Sequence, residues 1–362
     1  MSSPYGQFFL PGPTEVHPEV LEAMTAPMIP HRGEAMSTLL EGMAKPLQHL
    51  FRTSRPVMIG SCSATGYMEM AVRSGVQHRV LSLVGGAFGA RFAALAGACG
   101  REVMRLEVPL GGTIEPDMLR DALDRSEVDA VTMVHSETST GALAPLEELA
   151  QVVHEHENVL LLVDAVTSLG GMPVESDAWK LDFVLTGSQK AMALPPGLAL
   201  GVVSERMIER ARTIPERGGY LDVVAHHEAA VNQQPTNTPA ISLLFALARQ
   251  LQRIDAAGGV EARWETHRTM FRRVHDWVAQ KGSSLGVEFL PEADRRSWTV
   301  SCLRLPETLN GRTIAKQMAD AGWVIGSGYG DLKTSTIRLG HMGDHTVEQV
   351  DHLLDVLGEI LS

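Results

Sequence analysis

Between residues 57 and 203 short apolar runs alternate with amphipathic segments, and this alternation limits the chain to very few architectures. The strand-like runs are Val57-Met58-Ile59, Arg79 to Val84, Val103 to Val108, Asp129 to Val134, Val159 to Val163, Phe183 to Thr186 and Leu198 to Val203. Between them, Gly66 to Gly75, Ala87 to Ala98, Pro116 to Leu123 and Leu146 to Glu155 carry apolar residues at helical spacing. This series predicts an α/β fold with a mainly parallel sheet covered by helices on both faces. Functional groups then collect at the carboxyl ends of the strands.

The flanking sequence reads differently. Phe8-Phe9-Leu10 is extended and Pro11-Gly12-Pro13-Thr14 cannot continue a regular element, so residues 1–18 are expected to cross to a smaller domain or to a partner. Two helices, Pro18 to Met28 and Ala35 to Phe51, bracket the loop Pro30-His31-Arg32-Gly33. Beyond Gln233-Gln234-Pro235-Thr236-Asn237-Thr238-Pro239 come two long helices, Ala240 to Ala257 and Val260 to Lys281. Strands near Val287 to Leu290, Thr299 to Leu305 and Thr336 to Leu339 follow, with helices Thr313 to Ala321 and Val347 to Leu361. The expected division is a large domain over 19–239 and a smaller α+β domain over 240–362, bridged by the long helices.

Composition narrows the partners. A formal net charge of −12 with no run of Lys or Arg argues against nucleic acid and anionic membranes. Cys62, Cys99 and Cys302 are odd in number and lack metal-ligand spacing, which predicts buried thiols in a reducing compartment and no bound metal. Met1 to Gly6 shows no basic segment followed by an apolar core, so the expected location is the cytoplasm.

Three stretches carry chemistry. Gly60-Ser61-Cys62-Ser63-Ala64-Thr65-Gly66 follows a strand and opens a helix, where backbone N–H groups and the hydroxyls of Ser63 and Thr65 can surround a phosphate. The same residues also fit a plain strand-to-helix turn. They are an imperfect nucleophile elbow as well, since Ala64 replaces its final glycine. Val159 to Asp164 is a buried strand ending in a carboxylate, suited either to a cation or to capping the residues that follow. Gly187-Ser188-Gln189-Lys190, before the stiff corner Pro195-Pro196-Gly197, places a lysine among small and apolar neighbours. There its amine is more often neutral and can attack a carbonyl.

Together these stretches resemble the class V aminotransferases of fold type I, which use pyridoxal 5′-phosphate (PLP), nearest the alanine-glyoxylate or serine-pyruvate branch. The resemblance runs from Pro11-Gly12-Pro13-Thr14 to Ile337-Arg338-Leu339-Gly340. It is most specific at Val163-Asp164-Ala165-Val166-Thr167-Ser168-Leu169-Gly170-Gly171 and at the lysine loop. It implies that Lys190 is the Schiff-base lysine and proton shuttle and that Asp164 is the partner of the pyridine nitrogen. It further implies that Ser63, Ala64, Thr65 and Gln189 bind phosphate, that Phe88 stacks on the ring where the branch often has tryptophan, and that Thr138 reaches the phenolic oxygen. Asn237 and Thr238 would complete the site of a neighbouring subunit, which implies a homodimer. Arg338 would grip the substrate α-carboxylate, with Pro11, Gly12 and Arg32 lining the rest of the pocket. The expected reaction moves an amino group from a small L-amino acid to a small 2-oxo acid by a ping-pong route. The alternative is a PLP-dependent lyase or cysteine desulfurase, although those relatives usually have histidine where this chain has Gln189 and Phe88.

Overall fold

The structure is a computed structural model and describes residues 6–362. In chain order, β1 (Gln7–Phe9), α1 (Pro18–Ala23) and α2 (Glu34–Phe51) lead into β2 (Met58–Gly60), α3 (Ala64–Gly75), β3 (Arg79–Val84), α4 (Ala87–Ala98), β4 (Glu102–Glu107), α5 (Pro116–Asp124) and β5 (Ala130–Val134). A small hairpin, β6 (Ser136–Glu137) and β7 (Ala142–Leu143), precedes α6 (Leu146–His154), β8 (Leu160–Asp164), β9 (Phe183–Gly187), β10 (Ala199–Val203), α7 (Glu205–Thr213) and α8 (Val223–Val231). The remainder comprises α9 (Ile241–Ala256), α10 (Gly259–Gln280), β11 (Glu288–Phe289), β12 (Ser301–Arg304), α11 (Gly311–Asp320), β13 (Trp323–Ser327), β14 (Thr336–Leu339) and α12 (Val347–Leu361).

The large sheet has seven strands in the order β2-β10-β9-β8-β5-β3-β4. β10 runs antiparallel to both its neighbours, so the other six strands point the same way. Both faces are covered. Leu81, Val131, Leu161, Val163 and Val184 pack on one side with α2, α5 and α6, and Val80, Ala130, Leu160, Leu162, Phe183 and Leu185 pack on the other with α3, α4 and α7. Burial on both faces explains why β8 and β9 read as continuous apolar runs and not as alternating ones.

A second sheet, ordered β1-β13-β14-β12-β11, carries the core of α10, α11 and α12 through Met270, Val274, Ile314, Met318, Leu353 and Leu357. β1 joins it in parallel beside β13, with Phe9 opposite Ile325. Each large aliphatic side chain buried in these cores contributes about 1.5–3 kcal/mol.

Most boundaries fall within a residue or two of those read from the sequence, but the β6–β7 hairpin, α7, α8 and β13 were not anticipated. The helix after β2 starts at Ala64, two residues before the expected Gly66, which makes Ser63 its N-cap residue. The expectation of buried thiols holds for Cys302 alone, because Cys62 and Cys99 are partly exposed. Among the described residues no helix is long and apolar enough to cross a membrane.

Candidate active site

Because β2, β3, β5, β8 and β9 share one direction, their carboxyl ends bring Ser63, Phe88, Thr138, Asp164 and Lys190 to one edge of the large sheet. At its centre is the loop after β9. Ser188 Oγ donates to the Pro195 carbonyl at 2.7 Å and accepts from Leu198 N–H at 3.2 Å, which closes the loop on itself. The segment after β1 closes it from outside. Thr14 N–H donates to the Gln189 carbonyl at 3.1 Å, and Thr14 Oγ1 donates to the Lys190 carbonyl at 3.2 Å.

Lys190 is 6% exposed, and its Nζ donates to the Pro11 carbonyl and reaches Thr138 Oγ1 at 3.5 Å. Burial, with the Arg338 guanidinium adding repulsion, lowers its ammonium group to a pKa of about 7. Gly12 lies directly against it. A Cβ at Gly12 would stand 2.5 Å from Lys190 Cδ and 2.7 Å from Cε, and its φ of +92° favours glycine besides.

Asp164, 2% exposed, has moved the other way, to about 7, because burial penalises its carboxylate. Its Oδ1 accepts from Val166 N–H at 2.8 Å, so it does cap the turn that follows β8, one of the two roles its position allows. No cationic side chain hydrogen-bonds to it among the described residues. Thr138 Oγ1 shares a hydrogen bond with Thr167 Oγ1, and His135 Nδ1 meets Ser168 Oγ at 3.0 Å, so the β5 and β8 loops are tied together.

Phe88 opens α4, and Glu137 supplies what that helix end lacks. The N–H groups of Phe88 and Gly89 both donate to Glu137 Oε2 at 3.1 Å, while Ala87 N–H donates to Ser139 Oγ at 3.0 Å. A buried carboxylate at a helix N-terminus satisfies both orphan donors and the dipole. The Phe88 ring has Lys190 Nζ 5.7 Å and the Arg91 guanidinium 4.8 Å from its centroid, and Tyr329 packs 5.9 Å away. Arg91 and Tyr329 carried no signal in sequence beyond a helical polar residue and a turn residue.

At the start of α3, Ser63 makes no capping hydrogen bond, and the first helical N–H groups have no partner within the helix. Gln189, beside the lysine, has its side-chain Oε1 packed close to the α-carbon of Gly187. Arg338, on β14, sends Nε to the Ser327 carbonyl at 3.0 Å and Nη1 to the Thr138 carbonyl at 3.2 Å. Its Nη2 has no protein acceptor among the described residues. Asn237 and Thr238 are exposed and turn no hydrogen bond toward this group, although their segment is anchored by Ala240 N–H donating to Ser61 Oγ at 2.8 Å. Arg32 is exposed in the loop between α1 and α2 and forms no hydrogen bond or ion pair with the lysine cluster.

A family profile, Aminotransferase class-V, matches residues 88–353. The chain belongs to the class V aminotransferases. This class V aminotransferase is 35% identical over 340 residues to an uncharacterized aminotransferase of Methanocaldococcus jannaschii, covering 92% of this chain and 87% of that one. Among solved structures it is similar to an alanine–glyoxylate aminotransferase from Nostoc sp., with a TM-score of 0.92 and 29% identity, covering 100% of this chain and 97% of that one. It is also similar to an aspartate aminotransferase of subgroup IV from Thermus thermophilus, with a TM-score of 0.89 and 32% identity over 98% of this chain and 99% of that one. The class V aminotransferase therefore has the fold-type I architecture and PLP as cofactor, and it is a transaminase.

Proposed function

We propose that this aminotransferase moves the amino group of a small L-amino acid, alanine, serine or aspartate in kind, to glyoxylate or pyruvate at the site built around Lys190. The observation that carries the reading is a buried lysine amine, held on the Pro11 carbonyl and 3.5 Å from Thr138 Oγ1, at the same sheet edge as the buried Asp164 and with Arg338 bonded to the Thr138 carbonyl. The names of the similar Nostoc and Thermus enzymes support a small donor, and the first supports glyoxylate as acceptor.

The residues present fit the cofactor. Lys190 offers an amine, Asp164 a buried acid with no cation of its own, Phe88 an aromatic face, and the α3 N-terminus with Ser63, Ala64, Thr65 and Gln189 a place for a phosphate. Bound there, PLP supplies an aldehyde that condenses with amines and a ring that accepts electrons when a Cα–H bond breaks. Lys190 Nζ would hold the cofactor at rest and, when free, would move the donor's α-proton. Asp164 would serve as the partner that keeps the ring nitrogen protonated. Thr138 Oγ1 would orient the phenolic oxygen. Arg338, with Nη2 free and its other nitrogens fixed to backbone carbonyls, presents a rigid donor edge to the substrate carboxylate. Pro11 and Gly12 close the wall beside the lysine.

Asn237 and Thr238 are exposed and form no hydrogen bond with the lysine cluster among the described residues; with the family resemblance of their segment, this supports a homodimer in which they complete the neighbour's phosphate site. Arg32, exposed and without a hydrogen bond or ion pair among the described residues, is kept as a proposed substrate contact.

The test is a pair of half-reactions. An amino donor alone should discharge the visible absorption of the holoenzyme once and stop, and glyoxylate or pyruvate should restore it with release of the product amino acid. Consumption of the donor over many turnovers with no acceptor would replace this reading with the lyase. Borohydride reduction and peptide mapping should place the pyridoxyl group on Lys190.

A further inference from the structure

The lysine loop is held from a third direction that the catalytic reading does not use. Arg263, in the first turns of α10, donates to the Ala191 carbonyl through Nη2 at 2.5 Å and Nε at 3.2 Å. Its Nη1 donates to Asp344 Oδ1 at 2.8 Å. The side chain is 11% exposed, and Asp344 is 18% exposed. Asp344 is itself braced by Gln250 Nε2 at 3.0 Å, and by Arg253 at 3.7 Å.

What sets this apart from an ordinary buried ion pair is where each end leads. Ala191 is the residue after Lys190. Asp344 is on the segment that continues from β14, six residues beyond Arg338. One turn along α10, His267 repeats the connection: its Nδ1–H donates to the Arg263 carbonyl at 2.8 Å and its Nε2 accepts from Gly343 N–H at 3.0 Å. Gly343 in turn backs onto the lysine loop, with a Cβ there meeting that of Ala193 at 3.3 Å. An ion pair needed for stability alone would be complete with Asp344. Here two of the three donor nitrogens are spent on a backbone carbonyl beside the lysine.

We propose that Arg263 is a positioning residue that fixes the peptide after Lys190 and, through Asp344, holds that loop at a set separation from the strand bearing Arg338. The inference rests on the assignment of Lys190 as the proton-moving amine. That amine is released and recaptured in each cycle, so only its backbone keeps it within transfer distance of a substrate gripped by Arg338. A shift of about 1 Å in such a geometry costs on the order of 10²-fold in rate.

Arg263→Lys separates the two roles, because a lysine can pair with Asp344 as a point charge but cannot also fork onto the Ala191 carbonyl. Three quantities are read: the unfolding midpoint, kcat and KM with an α-deuterated and an ordinary donor, and the pH titration of the Lys190 amine in cofactor-free protein by competitive acylation and peptide mapping. The expected result is a nearly unchanged midpoint, kcat lower by about 10- to 100-fold with KM within about twofold, a larger deuterium effect on kcat, and a shifted Lys190 titration. Unchanged Lys190 titration with normal kcat per folded molecule would overturn the proposal and leave Arg263 a structural pair. If Arg263→Lys fails to fold, Arg263→Gln, whose short amide can serve Asp344 or the Ala191 carbonyl but cannot bridge both, is read the same way. A wild-type pyridoxyl label on some lysine other than Lys190 would instead sink the underlying assignment.

Discussion

Arg338 Nη1 donates to the carbonyl of Thr138 at 3.2 Å, joining the second sheet to the turn between β6 and β7 across 200 residues of chain. The bond fixes the plane of the guanidinium before any substrate arrives. Arg338→Lys keeps the charge and loses both the fork and this anchor. KM for amino donor and 2-oxo acid should rise together by about 10-fold or more, as expected for loss of a charge-assisted hydrogen bond of about 1.5–3 kcal/mol, while cofactor content holds. Steady-state kinetics with both substrates checks it, and unchanged KM values would move the clamp to Arg32.

The opposed shifts of Asp164 and Lys190 make a prediction about stability and pH. Asp164 titrates near 7 in the folded protein against 3.8 when unfolded, so the folded state holds a proton that the unfolded state has released. Its contribution is fully present below about pH 4 and is lost as pH rises toward 7. Lys190, lowered from 10.5 to about 7, contributes above its unfolded value and loses that contribution as pH falls toward 7. Cofactor-free protein should therefore gain stability from Asp164→Asn, and the gain should grow between pH 4 and 7. Urea unfolding of both proteins across that range tests it, and parallel curves would mean that Asp164 is solvated or paired in solution.

With cofactor present the same substitution acts the other way on function. Asp164→Asn should still acquire PLP but lose about 10²-fold or more in turnover, because nothing holds the ring nitrogen protonated. Near-normal turnover would reduce Asp164 to the cap of the turn at Val166.

Gly12→Ala asks whether the wall beside the lysine is as tight as it looks. The added methyl would fall 2.5 Å from Lys190 Cδ on backbone with φ of +92°. The variant should fold, since the clash falls on the flexible end of the Lys190 side chain, but should take up PLP slowly and incompletely. Full occupancy at the wild-type rate would show that the segment from Pro11 to Thr14 gives way.

For Asn237 and Thr238 the measurement is complementation. The doubly substituted Asn237→Ala, Thr238→Ala protein should lose PLP more readily than wild type. Mixed with Lys190→Ala protein, it should recover one intact site per hybrid dimer. Absence of any recovery would mean that each subunit's site is self-contained.

Much of this was legible in the sequence because the large sheet is buried on both faces: strands such as Leu160–Asp164 and Phe183–Gly187 have no polar face to confuse the pattern. α7 and α8 escaped notice for the converse reason. α7 buries only Met207, Ile208 and Ala211 in an otherwise charged stretch, and α8 interrupts its apolar residues with His226, His227 and Glu228. β13 follows Gly322 too closely to be told from the end of the preceding helix. At the site, Lys190, Asp164 and Arg338 stood out because each sits in a recognisable local stretch. Arg263 did not, since an arginine on a long polar helix reads as a solvated face and its partners lie 72 and 81 residues away.

The near-neutral Lys190 has a cost as well as a use. An amine that is free to react with one aldehyde at ordinary pH is free to react with others, and newly made protein must wait for its cofactor in that state. Discrimination then falls to the approach: Gly12 and the Pro11 carbonyl crowd the amine on one side, and with the phosphate site proposed at the α3 N-terminus, a ligand lacking a phosphate would have nothing to hold it while the bond forms. Adventitious adducts with small metabolic aldehydes should accordingly form and fall away, whereas the phosphorylated aldehyde stays.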